Sequence, residues 1–293
     1  MKRLALIALI WGWSFLFIKV AVEGMTPTAV AGARIALGAV VMLVVVRQQR
    51  IVLPRDRTTW RHFLVMGVMF NVIPFTLLAW GQERITSALT AVLNATTPLF
   101  AALLTAILLG ERLRRPQVLG VVLGFAGVAV AAGAGADDLA GSSLTGSAAV
   151  VTAAACYGFG FAYARRNLSG TPPMVAATGQ LVTATIVILP FSVVTSVGEG
   201  IELTPTRTLA VLLLGILGTG VAHLLNYRSI AEVGPTRASV VTQLVPVVAV
   251  TVGVVFLHEP FRLRLLFGAA LTLFGIALLH ERIKRFRTVP VAI

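Results

Sequence analysis

The sequence predicts an all-α integral membrane protein: ten transmembrane helices arranged as two inverted five-helix repeats. Three observations carry this expectation. The chain is 57% hydrophobic with only 12% charged residues and a mean hydropathy of +0.93. It contains a half-length internal repeat. Its basic residues gather on one side of the apolar runs.

A soluble domain carries about 25% charged residues, so the solvent for most of this chain must be lipid. A span takes about 20 mostly apolar residues. Ten runs qualify: 4–22, 28–46, 62–80, 87–109, 117–135, 144–164, 174–197, 208–227, 237–257 and 263–280. Short connections punctuated by Pro27, Pro54, Pro116, Pro172, Pro173, Pro205, Pro235 and Pro260 separate them. The stretch 136–143, with Asp137-Asp138 and Ser142-Ser143, is the midpoint. It divides an N-terminal repeat, 1–136, from a C-terminal repeat, 144–287, and leaves no room for a soluble domain. Residues 4–22 follow Lys2-Arg3 and resemble a signal peptide, but Trp11, Trp13 and Lys19 interrupt the run and no small-x-small site follows. They are read as the first span.

Pro98, Glu111, Gly120 and Gly127 recur as Pro246, Glu259, Gly268 and Gly275, each shifted by 148 residues without a gap. A weaker match at a shift of 146 pairs Trp11 with Tyr157, Gly12 with Gly158, Phe15 with Phe161 and Lys19 with Arg165. Half-chain repeats mark many transporter folds, with the solute at the interface of the halves. Five spans per repeat is an odd number, so the second copy crosses the membrane upside down. With the N-terminus inside, the inner side collects 18 Lys and Arg, and the outer side only Arg84, Arg207, Arg262 and Arg264. That is the bias of cytoplasmic loops, and it places both termini in the cytoplasm. The net charge of +13 lies in these loop clusters, which argues against a nucleic-acid partner.

Polar groups in hydrocarbon are costly and should face a cavity or a partner helix. They are therefore the candidates for substrate binding. His223, Asn226 and Tyr227 share one face of the eighth run, following Gly215, Gly218 and Gly220. They can line a cavity or form a hydrogen-bonded helix seam. Asn71 and Pro74 lie in the third run, Asn94, Thr96, Thr97 and Pro98 in the fourth, Gln243 and Pro246 in the ninth. Pro74, Pro98 and Pro246 are expected to kink their helices, as part of a cavity wall or for packing alone. Trp11 lies deeper than an interfacial anchor needs and suits a cavity wall. Arg34 and Lys19 are the charges within spans. Snorkelling and contact with a solute anion both account for them, and Arg34 lies deeper.

All 11 Asp and Glu residues fall in loops or at span ends. Proton coupling would have to use His223, Glu111, Glu259 or the solute itself. There is no Gly-rich phosphate loop with Lys, no metal-ligand cluster and no nucleophile motif. No cofactor, metal or enzymatic activity is expected. Cys156, the one cysteine, is read as packing, and the glycines at 120, 124, 127, 268 and 275 as close helix contact.

Trp11-Gly12 followed by Lys19, Arg34 in the second run, and the tandem Pro98…Gly110-Glu111 and Pro246…His258-Glu259 resemble the EamA type of the drug/metabolite transporter superfamily. The resemblance covers essentially the whole chain; His258 in place of a second Gly110, and Pro260 after Glu259, depart from it. It implies a ten-helix inner-membrane carrier of amino acids or other metabolites, with a cavity built from spans one, three, four, six, eight and nine. It also implies an oligomer contact, a homodimer, through spans five and ten.

The reading is a secondary transporter that moves a small amphipathic metabolite, such as an amino acid, by alternating access, with export the expected direction. Two rivals stand beside it: a non-transporting scaffold or receptor, and an intramembrane enzyme. A scaffold should fill the interface of the halves with Leu and Val. An enzyme needs an acidic partner for His223, which no span supplies.

Overall fold

The computed structural model describes residues 2–133, 142–233, 240–260 and 262–280. Asp137-Asp138 of the expected midpoint, Pro235, Arg237 and the basic stretch 282–287 lie outside the described residues. Among the described residues every regular element is helical: α1 (Lys2–Ala21), α2 (Pro27–Gln48), α3 (Arg57–Gly67), α4 (Ile73–Gln82), α5 (Ser87–Asn94), α6 (Thr97–Leu109), α7 (Arg115–Ala132), α8 (Ser142–Asn167), α9 (Pro173–Glu199), α10 (Pro205–Gly215), α11 (Ala222–Val233), α12 (Val240–Phe256) and α13 (Leu263–His280). Short π-helical segments, Val68–Val72 and Ile216–Val221, join α3 to α4 and α10 to α11. Among the described residues, eight helical stretches are long and apolar enough to cross a membrane. Gln243–Phe256 and Leu263–Leu279 are shorter apolar helices. The chain is a multi-pass membrane protein.

Helix starts follow local chemistry. Thr26, Thr86 and Thr204 cap α2, α5 and α10, each hydroxyl accepting from the backbone N–H three residues on, at 3.2–3.3 Å. Asp56 does the same for α3 at 2.8 Å. Pro27 and Pro205 then occupy the first helical turn, where no N–H is needed.

The three prolines behave differently from the expected shared kink. Pro98 stands in the first turn of α6, so the fourth run is broken between Asn94 and Thr97. Side-chain hydroxyls bond the carbonyls at the break: Thr97 Oγ1 donates to Asn94 O at 2.8 Å, and Thr96 Oγ1 donates to Leu93 O at 2.6 Å beside the Thr96 backbone N–H at 3.1 Å. Pro246 lies inside a continuous α12. Pro74 starts α4 just after the first π segment, which absorbs the missing backbone bond. The two π segments begin 148 residues apart, the shift of the sequence repeat.

Close contacts between the halves come in pairs that the repeat shifts interchange. A β-carbon at Gly12 would stand 2.5 Å from Val248 Cβ; one at Gly158 would stand 2.6 Å from Phe100 Cβ. Likewise Gly67 faces Thr183 Oγ1 at 2.6 Å, and Gly215 faces Leu37 Cβ at 2.6 Å. The most extensive helix pair is α7 with α13, which cross antiparallel. Gly120 meets Gly275, Gly127 meets Gly268, and between them Thr272 Oγ1 donates to Gly124 O at 3.3 Å. The glycine faces of these two helices are thus occupied by each other.

Backbone fills the space that a side chain at Gly268 would need: Gly127 O and Ala131 N are each 2.6 Å from its β-carbon position. Gly268→Ala is expected to cost about 1–3 kcal/mol through overpacking. Thermal unfolding in detergent checks this, and an unchanged midpoint would mean the crossing can spread freely.

Candidate functional site

Arg34 stands on α2, seven residues from its start, or roughly 10 Å along the axis at about 1.5 Å per residue. It is 6% exposed. Its Nε donates to Thr219 Oγ1 at 2.8 Å, and its guanidinium carbon lies 3.8 Å from the centre of the Phe75 ring. Among the described residues Arg34 forms no ion pair, and its terminal nitrogens donate to no side chain or carbonyl. A buried guanidinium stacked on an aromatic face but lacking a carboxylate is an expensive arrangement unless a further anion joins it.

Thr219 fixes that guanidinium from the opposite half. It belongs to the second π segment, which rotates its hydroxyl toward α2. The hydroxyl donates back to Leu214 O at 3.3 Å and accepts from Arg34, so both its roles are used. Gly38, one turn along α2, leaves room for the approach: a β-carbon there would stand 2.5 Å from Thr219 Cγ2. The Thr219 carbonyl accepts from His223 Nδ1 at 2.7 Å. A carbonyl can only accept, so Nδ1 carries the proton. The His223 ring then meets Trp11 edge-on, with centroids 6.5 Å apart.

On the other flank, Phe75 meets Tyr157 at 6.4 Å, and Tyr157 meets Phe70 at 5.0 Å. Asn71, beside Phe70 in the first π segment, is 0% exposed with neither amide atom bonded. Asn94 Oδ1, at the broken end of α5, is likewise buried and unpaired. Buried amides without a partner are rare and costly.

The structure therefore joins Trp11, His223 and Arg34 through Thr219, and puts Phe75, Tyr157 and Phe70 beside them. It does not join every expected residue. Asn226 and Gln243 are partly exposed and make no hydrogen bond to this group; Tyr227 and Thr242 have side chains outside the described set. Lys19 points elsewhere: its Nζ donates to Gln82 O at 2.5 Å and Ile85 O at 3.3 Å, closing the end of α4. Thr219, Phe75 and Tyr157 are not among the candidates named from the sequence, but the repeat shifts make them the partners of Asn71, His223 and Trp11. That partnership was the signal for them, since a residue opposite a candidate in the other repeat shares its depth.

These features define a polytopic helical membrane protein with a cationic, aromatic-walled polar site between its halves. The chain belongs to the EamA-like transporter family, whose model matches residues 4–133 and again 144–280. It is a membrane transporter of the drug/metabolite type. It is similar to an uncharacterized transporter of Archaeoglobus fulgidus, 28% identical over 278 residues, covering 93% of this chain and 95% of that one. It is 24% identical to the uncharacterized transporter YoaV of Bacillus subtilis, covering 92% of each chain. A probable terminal-alkyne amino-acid exporter of Streptantibioticus cattleyicolor is 26% identical, covering 95% of this chain and 92% of that one. A solved crystal structure shares the fold, with a TM-score of 0.66 over 98% of both chains at 22% identity.

Thr219→Val removes the acceptor of a buried Arg34 N–H and is expected to cost about 1–3 kcal/mol. Thr219→Ser keeps the hydroxyl and should recover most of that loss. Thermal unfolding of both variants in one detergent checks it; a Thr219→Val protein as stable as its parent would show that the hydroxyl bond contributes little.

Proposed function

We propose that the chain is a secondary carrier for a small carboxylate-bearing metabolite, an amino acid or a related amphipathic acid, moved out of the cell by alternating access. One observation carries this: Arg34, buried between the halves, with its terminal nitrogens bonded to no described group and, among the described residues, no carboxylate paired with it. A solute carboxylate supplies the missing counter-charge by accepting both terminal N–H groups side by side. Phe75, Tyr157 and Trp11 offer flat apolar walls for the remainder of the solute, and Asn71, Asn94 and His223 its hydrogen bonds.

In this reading the ten spans form two inverted repeats, 1–136 and 144–287, in the inner membrane with both termini cytoplasmic. The antiparallel α7–α13 crossing and the paired contacts at the repeat shifts support the inverted relation. The relative named as an amino-acid exporter supports the substrate class and direction. Rocking of the halves about that crossing would open the Arg34 site to each face in turn.

Purified protein in liposomes, assayed for counterflow against a panel of radiolabelled amino acids and other carboxylates, tests the proposal. Arg34→Lys is expected to lower kcat/KM about 10–100-fold, because an ammonium cannot bind a carboxylate through two parallel bonds. Asn94→Leu and His223→Leu should spare expression and abolish flux. A panel without any flux, or an Arg34→Lys protein as active as its parent, would count against the carboxylate reading.

A further inference from the structure

The repeat pairs Glu111 with Glu259 and Lys19 with Arg165, yet the two ends of the molecule use these residues differently. At one end Glu111 and Arg165 meet directly, with Nη2 to Oε1 at 2.6 Å and Nη1 to Oε2 at 3.2 Å, and both side chains are about half exposed. At the other end the equivalents do not pair. Lys19 donates to the last carbonyl of α4, Gln82 O, and to Ile85 O in the turn, and Glu259 seats its carboxylate on the first amides of α5: Oε1 accepts from Ser87 N at 2.6 Å and Oε2 from Ala88 N at 3.0 Å. The α4–α5 turn is thus gripped by a cation on one side and an anion on the other.

Glu259 belongs to the second half and α5 to the first, so its bonds tie the halves together. The local chain is shaped for them. His258 adopts the left-handed conformation that its counterpart Gly110 adopts, with φ of 52° and 69°, and so turns Glu259 back toward α5. Gly253 lies beneath: a β-carbon there would stand 2.6 Å from Glu259 Oε2 and 2.8 Å from Ser87 Oγ. A vestibule of about 320 Å³, lined by Lys19, Arg84, Thr86 and Pro260, opens beside this contact.

We propose that Glu259 is a releasable clasp that shuts the Lys19 end of the transporter, regulating access to the Arg34 site from that face. It rests on the alternating-access reading above. The halves cannot part at this end while the carboxylate holds both amides. The exposed Glu111–Arg165 pair at the opposite end is the weaker tie.

The test is solute-free. Asn94→Cys, roughly 10 Å deeper than Ser87 along α5, is placed in a Cys156→Ser background. A membrane-impermeant charged thiol reagent is applied to the Lys19 face of oriented vesicles. Glu259→Gln loses the charge and one of the two bonds. Ser87→Pro removes one donor at a first-turn position where Pro27 and Pro205 already serve after threonine caps. Each is expected to raise labelling from that face about tenfold, and Glu111→Gln is expected not to. The proposal is overturned if labelling is unchanged in folded Glu259→Gln protein, including the case where the parent already labels at the variant's rate. An equal rise with Glu111→Gln, or unchanged labelling in folded Ser87→Pro protein, also overturns it. If Ser87→Pro does not give monodisperse protein, Glu259→Gln decides alone. Because no solute is involved, a transport panel without a hit leaves this outcome intact, so the two failures are distinguishable.

Discussion

A guanidinium in a membrane-embedded core has few ways to be tolerated, and the packing around Arg34 is arranged by that fact. The bond from Nε to Thr219 satisfies one donor, and the Phe75 face screens part of the charge. The Thr219 contact comes with two backbone features: Thr219 lies in a π segment, and Gly38 yields the space its methyl occupies. His223 is then fixed by the Thr219 carbonyl and Trp11 by His223. One charge thus orders residues from α1, α2, α4 and α11 across the boundary between the halves.

The two ends of the molecule show how a repeated sequence can yield unlike chemistry. The repeated Glu, with Arg165 at one end and Lys19 at the other, makes an exposed ion pair in the first case and two separate backbone contacts in the second. Both the basic residue and the neighbours differ between the ends. At one end the carboxylate finds a guanidinium within reach. At the other it finds amide donors at a helix start, where backbone partial charge favours an anion.

Much of this was legible in the sequence, for physical reasons. Lipid forces long apolar runs, so membrane helices announce themselves; Arg34, His223 and Asn71 stand out as groups costly in hydrocarbon, and Trp11 as a ring deeper than an interfacial anchor needs. The glycines at 120, 127, 268 and 275 were read as close packing, and they are the α7–α13 crossing. Other features left no mark. A π segment changes which amide bonds which carbonyl without demanding a particular side chain. Pro98 is compatible with a kink or a full break, and the hydroxyls of Thr96 and Thr97 decide it. Phe75 and Tyr157 are ordinary membrane-helix residues until their position opposite Arg34 is known. Lys19, for which snorkelling and a solute contact were both open, has backbone carbonyls as its partners, which no sequence pattern displays.

The Gly124–Thr272 contact at the centre of the α7–α13 crossing has an evolutionary implication. These residues are 148 positions apart, so each faces its own duplicate. In a dimer of two identical chains, a position that faces itself must be the same residue on both sides, small against small or large against large. Within one duplicated chain the two copies are free to diverge into a complementary pair. Here a glycine carbonyl meets a threonine hydroxyl, an acceptor opposite a donor, which self-facing identical residues could match only by leaving a second side chain to crowd the crossing. Joining both copies in one gene is what makes such a socket and peg available to selection.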